Sequence, residues 1–267
     1  MSKTANPQKA EGVLIENTEI GVVVRQEIVS MIPPLLANIK DNYRILDLCA
    51  APGSKTSEIL DLMQAQNTIN SLPRGCLVAN DVNEKRCGTL NHQMARFAHP
   101  GFAVTCCDGS MLPEKLKYDL VFADVPCSGD GTIRKAFDIW KRWSYNDGVQ
   151  LHRLQIKLLK KSLLLLKQSG HLVYSTCSLN PLENEAVVAS ILYEYPEKFE
   201  LVPVKPPLGL IKNDGLTSWS VPIRRKDNSN YLDKSSKTEI ASTDSAQSSI
   251  EQPQMSPAIK LLESLIN

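Results

Sequence analysis

Two cysteines, Cys127 in YDLVFADVPCSGDGT and Cys177 in HLVYSTCSLN, each stand just past the end of an apolar run. Free cysteine is among the most buried residue types, so packing is one reading of both. The other is thiolate chemistry, since the thiolate is the nucleophilic form. Four acids fall in comparable places: Asp47 in RILDLC, Asp81 in GCLVAND, Asp108 in FAVTCCD and Asp124 in YDLVFADV. So many reactive side chains at the ends of successive runs are more than packing asks for. Asp47 is set aside as a structural cap of the turn that follows it. Cys49, Cys76, Cys87, Cys106 and Cys107 have no evident activating partner and read as inert thiols.

The stretch LDLCAAPGSKTSEI joins the first run to a helix through a turn of small residues. The phosphate-loop pattern is not met, because Ser54 separates Gly53 from Lys55 and the leading glycine of G-x-x-x-x-G-K-[ST] is missing. The dinucleotide pattern fails as well, since Ala51 stands where a glycine belongs and no third glycine follows. One glycine with two alanines still lets a ligand approach the backbone closely. Asp81, one strand-helix-strand unit further on, is placed to accept hydrogen bonds from ribose hydroxyls. Asp108 ends the next strand, where an adenine amine can be read. No pyrophosphate partner is required, and the combination fits S-adenosyl-L-methionine (SAM) better than NAD or ATP.

Most methyl acceptors are nucleophilic already and need no thiol beside SAM. The C5 carbon of cytosine is the exception. A thiolate adding at C6 turns the ring into an enamine whose C5 can attack a sulfonium methyl, so one hard step is split into two. Negative charge on the ring must be relieved at N3, and a carboxyl kept protonated by a partly apolar site can supply that proton. Asp124, three residues before Cys127, suits that role. A base must then take the C5 proton so that the thiol can leave. Two cysteines make sense if one adds and the other assists release.

Periodicity predicts the elements that position these groups. Helices are expected over 25–39, with a break at Pro33-Pro34, and over 54–66, 83–97, 146–168 (closed by Ser169-Gly170) and 182–195. Strands are expected over 44–49, 75–81, 102–108, 118–125, 171–177 and 199–204. Strand-helix alternation on this scale implies an α/β fold with a parallel sheet covered on both faces. Ligands bind such sheets beyond the carboxyl ends of the strands, where the acids and thiols fall. Residues 1–20 read as a flexible extension, 21–225 as the domain, 226–255 as a disordered Ser-, Asp-, Lys- and Gln-rich linker, and 256–267 as a short amphipathic helix.

The chain has 267 residues with 42% hydrophobic and 22% charged, the composition of an ordinary soluble domain. No apolar run reaches membrane-spanning length, and no signal or transit peptide is evident, so a reducing cytosol or nucleus is expected. The seven cysteines include no C-x-x-C pair and the four histidines are scattered, so neither a disulfide framework nor a metal site is expected. Net charge is only +1, but Arg134, Lys135, Lys141, Arg142, Arg153, Lys157, Lys160 and Lys161 cluster with Trp140, Trp143 and Tyr145. Cations interleaved with aromatics suit phosphates and unstacked bases, and a solvated helix face with buried tryptophans is the alternative.

The motifs CAAPGSKT, NDVNEKRC, DVPCSGDGT, LQ in the long helix and YSTCSLNPLENEAVV together resemble the Nop/Sun (NSUN) family of SAM-dependent RNA cytosine-5 methyltransferases. RQEIVSMIPPLL and IRKAFDIWKRW bring the likeness closest to its tRNA-modifying member, and the resemblance covers roughly residues 21–225. It implies a Rossmann-like methyltransferase fold, a mostly parallel seven-stranded sheet with helices on both faces and an antiparallel last strand. It implies that Cys177 is the nucleophile and Cys127 aids product release. By the same match Cys49, Ala50, Ala51, Pro52, Gly53, Ser54, Lys55, Asp81, Asp108 and Asp124 line the SAM pocket, with Lys55 and Asp124 also facing the base. RNA, foremost tRNA, is the implied partner, with no membrane and no metal. The expected location is the nucleus or nucleolus, with the cytoplasm as alternative, and the basic stretch 134–161 becomes an RNA-facing surface.

The tRNA-modifying relatives carry RNA-binding sequence on both sides of the corresponding region. The competing expectation is therefore a fragment that binds SAM and RNA with little turnover. A DNA cytosine methyltransferase fits less well, since those enzymes place the nucleophile in the Pro-Cys motif and lack Thr-Cys. A P-loop nucleotidase is the remaining alternative.

Overall fold

Along β1 (Arg44–Asp47) neighbouring side chains are buried on opposite faces, Ile45 against one core and Leu46 against the other. The same alternation runs through Leu120, Val121, Phe122 and Ala123 of β4 (Tyr118–Asp124) and through Leu172, Val173 and Tyr174 of β5 (Leu166–Ser175). A strand buried on both faces belongs to a sheet sandwiched between helices. The computed structural model describes residues 7–19, 23, 26–66, 74–204, 209–219, 221–223, 232–234 and 259–263.

One helical layer is formed by α2 (Ile28–Leu36), α3 (Ser54–Gln64) and α4 (Glu84–Met94), with Ile59, Leu60, Met63 and Leu90 in its core. The other is formed by α6 (Tyr145–Leu165) and α7 (Glu185–Glu194), which contribute Leu158, Leu159, Val187 and Ile191. α1 (Pro7–Glu19) is a helix within the expected N-terminal extension, and α5 (Phe137–Arg142) is a short helix before α6. α2 stays helical through Pro33 and Pro34 where a break is predicted. Both prolines are buried, and packing overrides their poor helix propensity.

With β2 (Cys76–Asp81), β3 (Phe102–Cys106), β6 (Phe199–Leu201) and β9 (Ile259–Glu263), the sheet has the order β3-β2-β1-β4-β5-β9-β6. Every neighbouring pair in it is parallel. An antiparallel last strand is thus not found in this sheet among the described residues; the antiparallel pair is β7 (Val221–Ile223) with β8 (Leu232–Lys234), in a separate sheet. Residues 259–263, expected as helix, form a strand between β5 and β6. An isolated twelve-residue helix is marginal in water, whereas the gap between two strands offers ladder hydrogen bonds on both sides. Most of the expected linker lies outside the described residues.

α6 ends at Leu165, three residues before the predicted end, because Leu166 turns extended and pairs with Tyr118. The pairing then jumps from Tyr118↔Leu166 to Leu120↔His171, and Ser169 (φ 63°) sits in the irregular segment. The β5 register is thereby set just before it reaches the edge that carries the acids.

Asp47 closes β1 and is buried at 1% exposure. Thr56 donates to its Oδ2 at 2.7 Å, while Oδ1 has no hydrogen-bond partner. Burial pushes its pKa from 3.8 to about 7. The folded state therefore holds a proton that the unfolded chain releases, so this group's stabilisation is present below pH about 4 and lost as pH rises to about 7. Asp47→Asn should gain stability on the native protein across that window. Denaturant midpoints of both proteins at pH 5 and pH 8 check this, and a pH-independent difference would contradict it.

Candidate active site

The order β3-β2-β1-β4-β5 lays the predicted acids along one edge. Asp81, Asp47 and Asp124 are the last residues of β2, β1 and β4. Asp108 lies two residues past β3, and Cys177 two past β5. The strand order reverses between β1 and β4, which is where ligands of open α/β sheets bind.

The small-residue turn leaves β1 at this reversal. Gly53 (φ 115°) occupies the left-handed region ahead of α3, and a Cβ there would come within 2.8 Å of Leu90. Both constraints select glycine. Ala51 N–H donates to Asp81 Oδ2 at 3.2 Å, and Asn83 N–H to Oδ1 at 3.0 Å. Arg86 bridges the two elements, bonding the Ala51 carbonyl and standing 3.3 Å from Asp81 Oδ2. Gln26 donates to the Ser54 carbonyl at 3.0 Å from the other side. Asp108 is more exposed: Ser110 donates to it through Oγ (2.8 Å) and N–H (2.9 Å), which holds its carboxyl below the usual range.

Lys55, in the first turn of α3, reaches Asp124 Oδ2 at 2.7 Å, and Ser175 Oγ donates to Oδ1 at 2.7 Å. Asp124 thus has a polar partner on each oxygen, where the sequence led us to expect partly apolar surroundings.

Beyond β4 and β5 the chain turns so that the two thiols meet, Cys127 Sγ to Cys177 Sγ at 3.1 Å. Cys177 N–H also donates to Cys127 Sγ at 3.3 Å. Cys177 is exposed and Cys127 half-buried. Their proton affinities diverge. The hydrogen bond from Cys127 lowers the Cys177 pKa against the opposing effect of burial. The same bond, then burial, pushes the Cys127 thiol far up. These opposite directions make Cys177 the member of the pair that gives up its proton more readily. The other thiols do not resemble it: burial raises Cys49, Cys76, Cys87 (to about 11) and Cys107.

Several polar residues of this site were not singled out from sequence. Glu183, Gln155, Ser128 and Ser178 form a buried network beneath the thiols. The signal available was a glutamine on the apolar face of a long helix, and a glutamate inside the quoted LENE motif. Arg86 and Ser175 likewise lie inside quoted motifs, NDVNEKRC and YSTCSLNPLENEAVV.

The basic stretch divides in two. Lys135 pairs with Glu27, Arg142 with Asp138, Lys160 with Glu194 and Lys161 with Glu114, while Lys157 lies 4.0 Å from Asp108. Arg134, Lys141 and Arg153 have no ion pair among the described residues. On α5, Phe137 and Trp140 are exposed at 75% and 76%, so the tryptophan is not buried as the alternative reading required.

The chain is 41% identical over 226 residues to the multisite-specific tRNA:(cytosine-C(5))-methyltransferase of Saccharomyces cerevisiae, covering 80% of this chain and 33% of that one. It is 40% identical to the tRNA (cytosine(34)-C(5))-methyltransferase of Drosophila melanogaster, covering 80% and 30%. The chain thus spans about a third of the length of these relatives. Among solved structures, NSun6 from Pyrococcus horikoshii with SFG superposes with a TM-score of 0.64 at 25% identity, covering 75% of this chain and 48% of that one. A methyltransferase homologue from the same organism gives 0.62 at 30% identity, covering 82% and 61%. The family model described as 16S rRNA methyltransferase RsmB/F matches residues 34–232, and the chain belongs to that family.

Proposed function

We propose that this chain carries the catalytic unit of an RNA cytosine-5 methyltransferase acting on tRNA, with SAM as the methyl donor and residues 21–225 as the domain that does the chemistry. The observation that carries this reading is the contact of two unlike thiols, 3.1 Å apart, beside the Lys55–Asp124 pair. The names of the tRNA-modifying relatives and the SFG bound to the solved neighbour support it.

The edge suits a cationic nucleoside better than a phosphate. Lys55 is committed to Asp124, so the turn offers no free ammonium to a phosphate. Asp47, Asp81 and Asp124 repel one another there, since Asp124 and Asp81 both raise the Asp47 pKa. A sulfonium cation relieves that repulsion. When bound, SAM supplies an electrophilic methyl. Asp81 and Asp108 hold the nucleoside end, and the turn 49–55 admits it to the backbone.

The Cys177 thiolate attacks C6 of cytosine, forming an S–C6 bond as the C5=C6 pair moves into the ring. The Lys55 ammonium, held by Asp124, donates to N3 as charge collects there and recovers the proton when the C5=C6 bond re-forms. After C5 has gained the methyl and a base has taken its proton, the C5=C6 bond re-forms and the S–C6 bond breaks. Cys177 leaves as a thiolate, which the Cys127 S–H stabilises by donating to it.

RNA contacts are assigned to α5, whose exposed Trp140 and Phe137 stand beside Arg134 and Lys141. Base-aromatic stacking contributes about 1–3 kcal/mol per base. Trp140→Ala should weaken binding of single-stranded RNA by roughly tenfold or more with little change in salt dependence. Lys141→Ala should instead flatten the dependence of log K on log salt. Titrations at two or more salt concentrations separate them.

The decisive experiment is bisulfite sequencing of tRNA incubated with the protein and SAM. Native protein should leave 5-methylcytosine, and Cys177→Ala should leave none and form no covalent RNA adduct. Cys127→Ala should accumulate the adduct, visible as a retarded band in denaturing gels. An adduct that survives Cys177→Ala but vanishes in Cys127→Ala would reverse the two assignments. SAM binding by calorimetry without methyl transfer would point instead to a binding unit with little turnover. Without RNA, Cys127→Ala should move the pH midpoint for alkylation of Cys177 upward, because the bond that lowers it is gone.

A further inference from the structure

Glu183 lies in the turn between β5 and α7 and is completely buried, with 0% exposure. Two donors converge on its Oε1: Ser128 N–H at 2.8 Å and Gln155 Nε2 at 3.1 Å. Two more reach Oε2, the hydroxyls of Ser128 at 2.5 Å and Ser178 at 2.6 Å. Ser128 directly follows Cys127, and Ser178 directly follows Cys177. Gln155 also donates to the carbonyl of Pro126 at 2.9 Å, on the other side of Cys127. Tyr174 fixes the backbone of Glu183 itself, donating to its carbonyl at 2.6 Å.

We propose that Glu183 is the positioning residue of the thiol pair, a single buried carboxylate that fastens the Cys127 loop and the Cys177 loop to each other. This rests on the methyltransferase reading for its purpose. A buried carboxylate is costly, and Glu183 has no cationic partner among the described residues, so hydrogen bonds alone offset its desolvation. A core chosen for stability would favour an apolar group here. What the carboxylate provides is two acceptor oxygens that reach both loops, at a spacing that brings the sulfurs to 3.1 Å. Its charge also adds, behind the bond to Cys177 and burial, to what keeps Cys127 protonated and therefore a donor. The α6 backbone closes on the network at Gly148, where a Cβ would stand 2.4 Å from Asn180 Nδ2 and 3.3 Å from Glu183 Oε2.

Glu183→Gln keeps the shape and removes the charge and one acceptor. The double variant Ser128→Ala with Ser178→Ala keeps the carboxylate and cuts its hydroxyl bonds to both loops. Each protein is alkylated with iodoacetamide across a pH series, and modification of Cys177 is read by peptide mass spectrometry. The midpoint should rise in both, toward that of Cys127→Ala. Methyl transfer to tRNA should show kcat reduced about ten- to hundredfold, with KM for RNA and Kd for SAM within about twofold, as expected for small misplacement of a reacting group. A residue that only held the fold together would lower SAM affinity with kcat and leave the Cys177 midpoint in place.

An unchanged midpoint in both variants overturns the proposal, as does a loss confined to KM. Should Glu183→Gln fail to bind SAM, the serine double variant decides by the same midpoint. Alkylation needs neither RNA nor SAM. A protein whose midpoints shift as expected but which transfers no methyl would overturn the function and leave the role of Glu183 standing.

Discussion

Asp124 and Ser175 stand opposite each other in the β4–β5 pairing, and the serine hydroxyl donates to the carboxylate at 2.7 Å. That register is the constraint on which the site depends. It starts Cys127 three residues beyond one strand and Cys177 two beyond its neighbour, so that two short loops suffice to bring the sulfurs together. A one-residue slip would send every β5 side chain to the opposite face. Ser175 would leave Asp124, and Tyr174 would no longer reach the Glu183 carbonyl. The irregular segment at 166–171 sets this phase, and parallel pairing makes both strands end on the same side.

Charge at this edge is arranged so that each group has one task. Asp124 is occupied by Lys55 and Ser175, and Asp81 by the backbone of the turn and by Arg86. Asp47, with one oxygen left unbonded, is the member of the acid row whose pKa burial pushes up, to about 7. The thiols follow the same logic at closer range. Two chemically identical side chains acquire opposite shifts in proton affinity, one exposed and the other half-buried, across a single shared contact.

The main elements are legible in the sequence because their burial is two-sided and their lengths are ordinary. Apolar runs of four to seven residues ending on an acid could only be strands of a covered sheet, and Asp81, Asp124, Cys127 and Cys177 fall where that reading puts them. What is not legible depends on partners distant in sequence. Nothing local tells that Lys55 will meet Asp124 or that Glu183 will collect Ser128, since these pairs are separated by 69 and 55 positions. The partial pairing of the basic stretch is hidden for the same reason: Glu27, Glu114 and Glu194 reach Lys135, Lys161 and Lys160 from outside the window. Residues 259–263 pair with strands far earlier in the chain, so their helical periodicity is overridden by ladder bonds that no local pattern announces.

The surface assigned to RNA is not independent of the chemistry. Asp130 accepts from Leu179 N–H at 2.8 Å, and Gly131 N–H donates to the Cys177 carbonyl at 3.0 Å. A Cβ on Gly131 would lie 2.7 Å from that carbonyl, so the two backbones are already at their limit of approach. The segment that makes these contacts leads directly into α5 and its exposed tryptophan. The Cys177 loop is thus tied by its backbone to the segment that enters α5. On its other side that loop is held by Glu183. Under the proposed function, Cys177 sits between a carboxylate buried in the core and the segment entering α5, so a strand bound at α5 would bear on a loop already fastened from beneath.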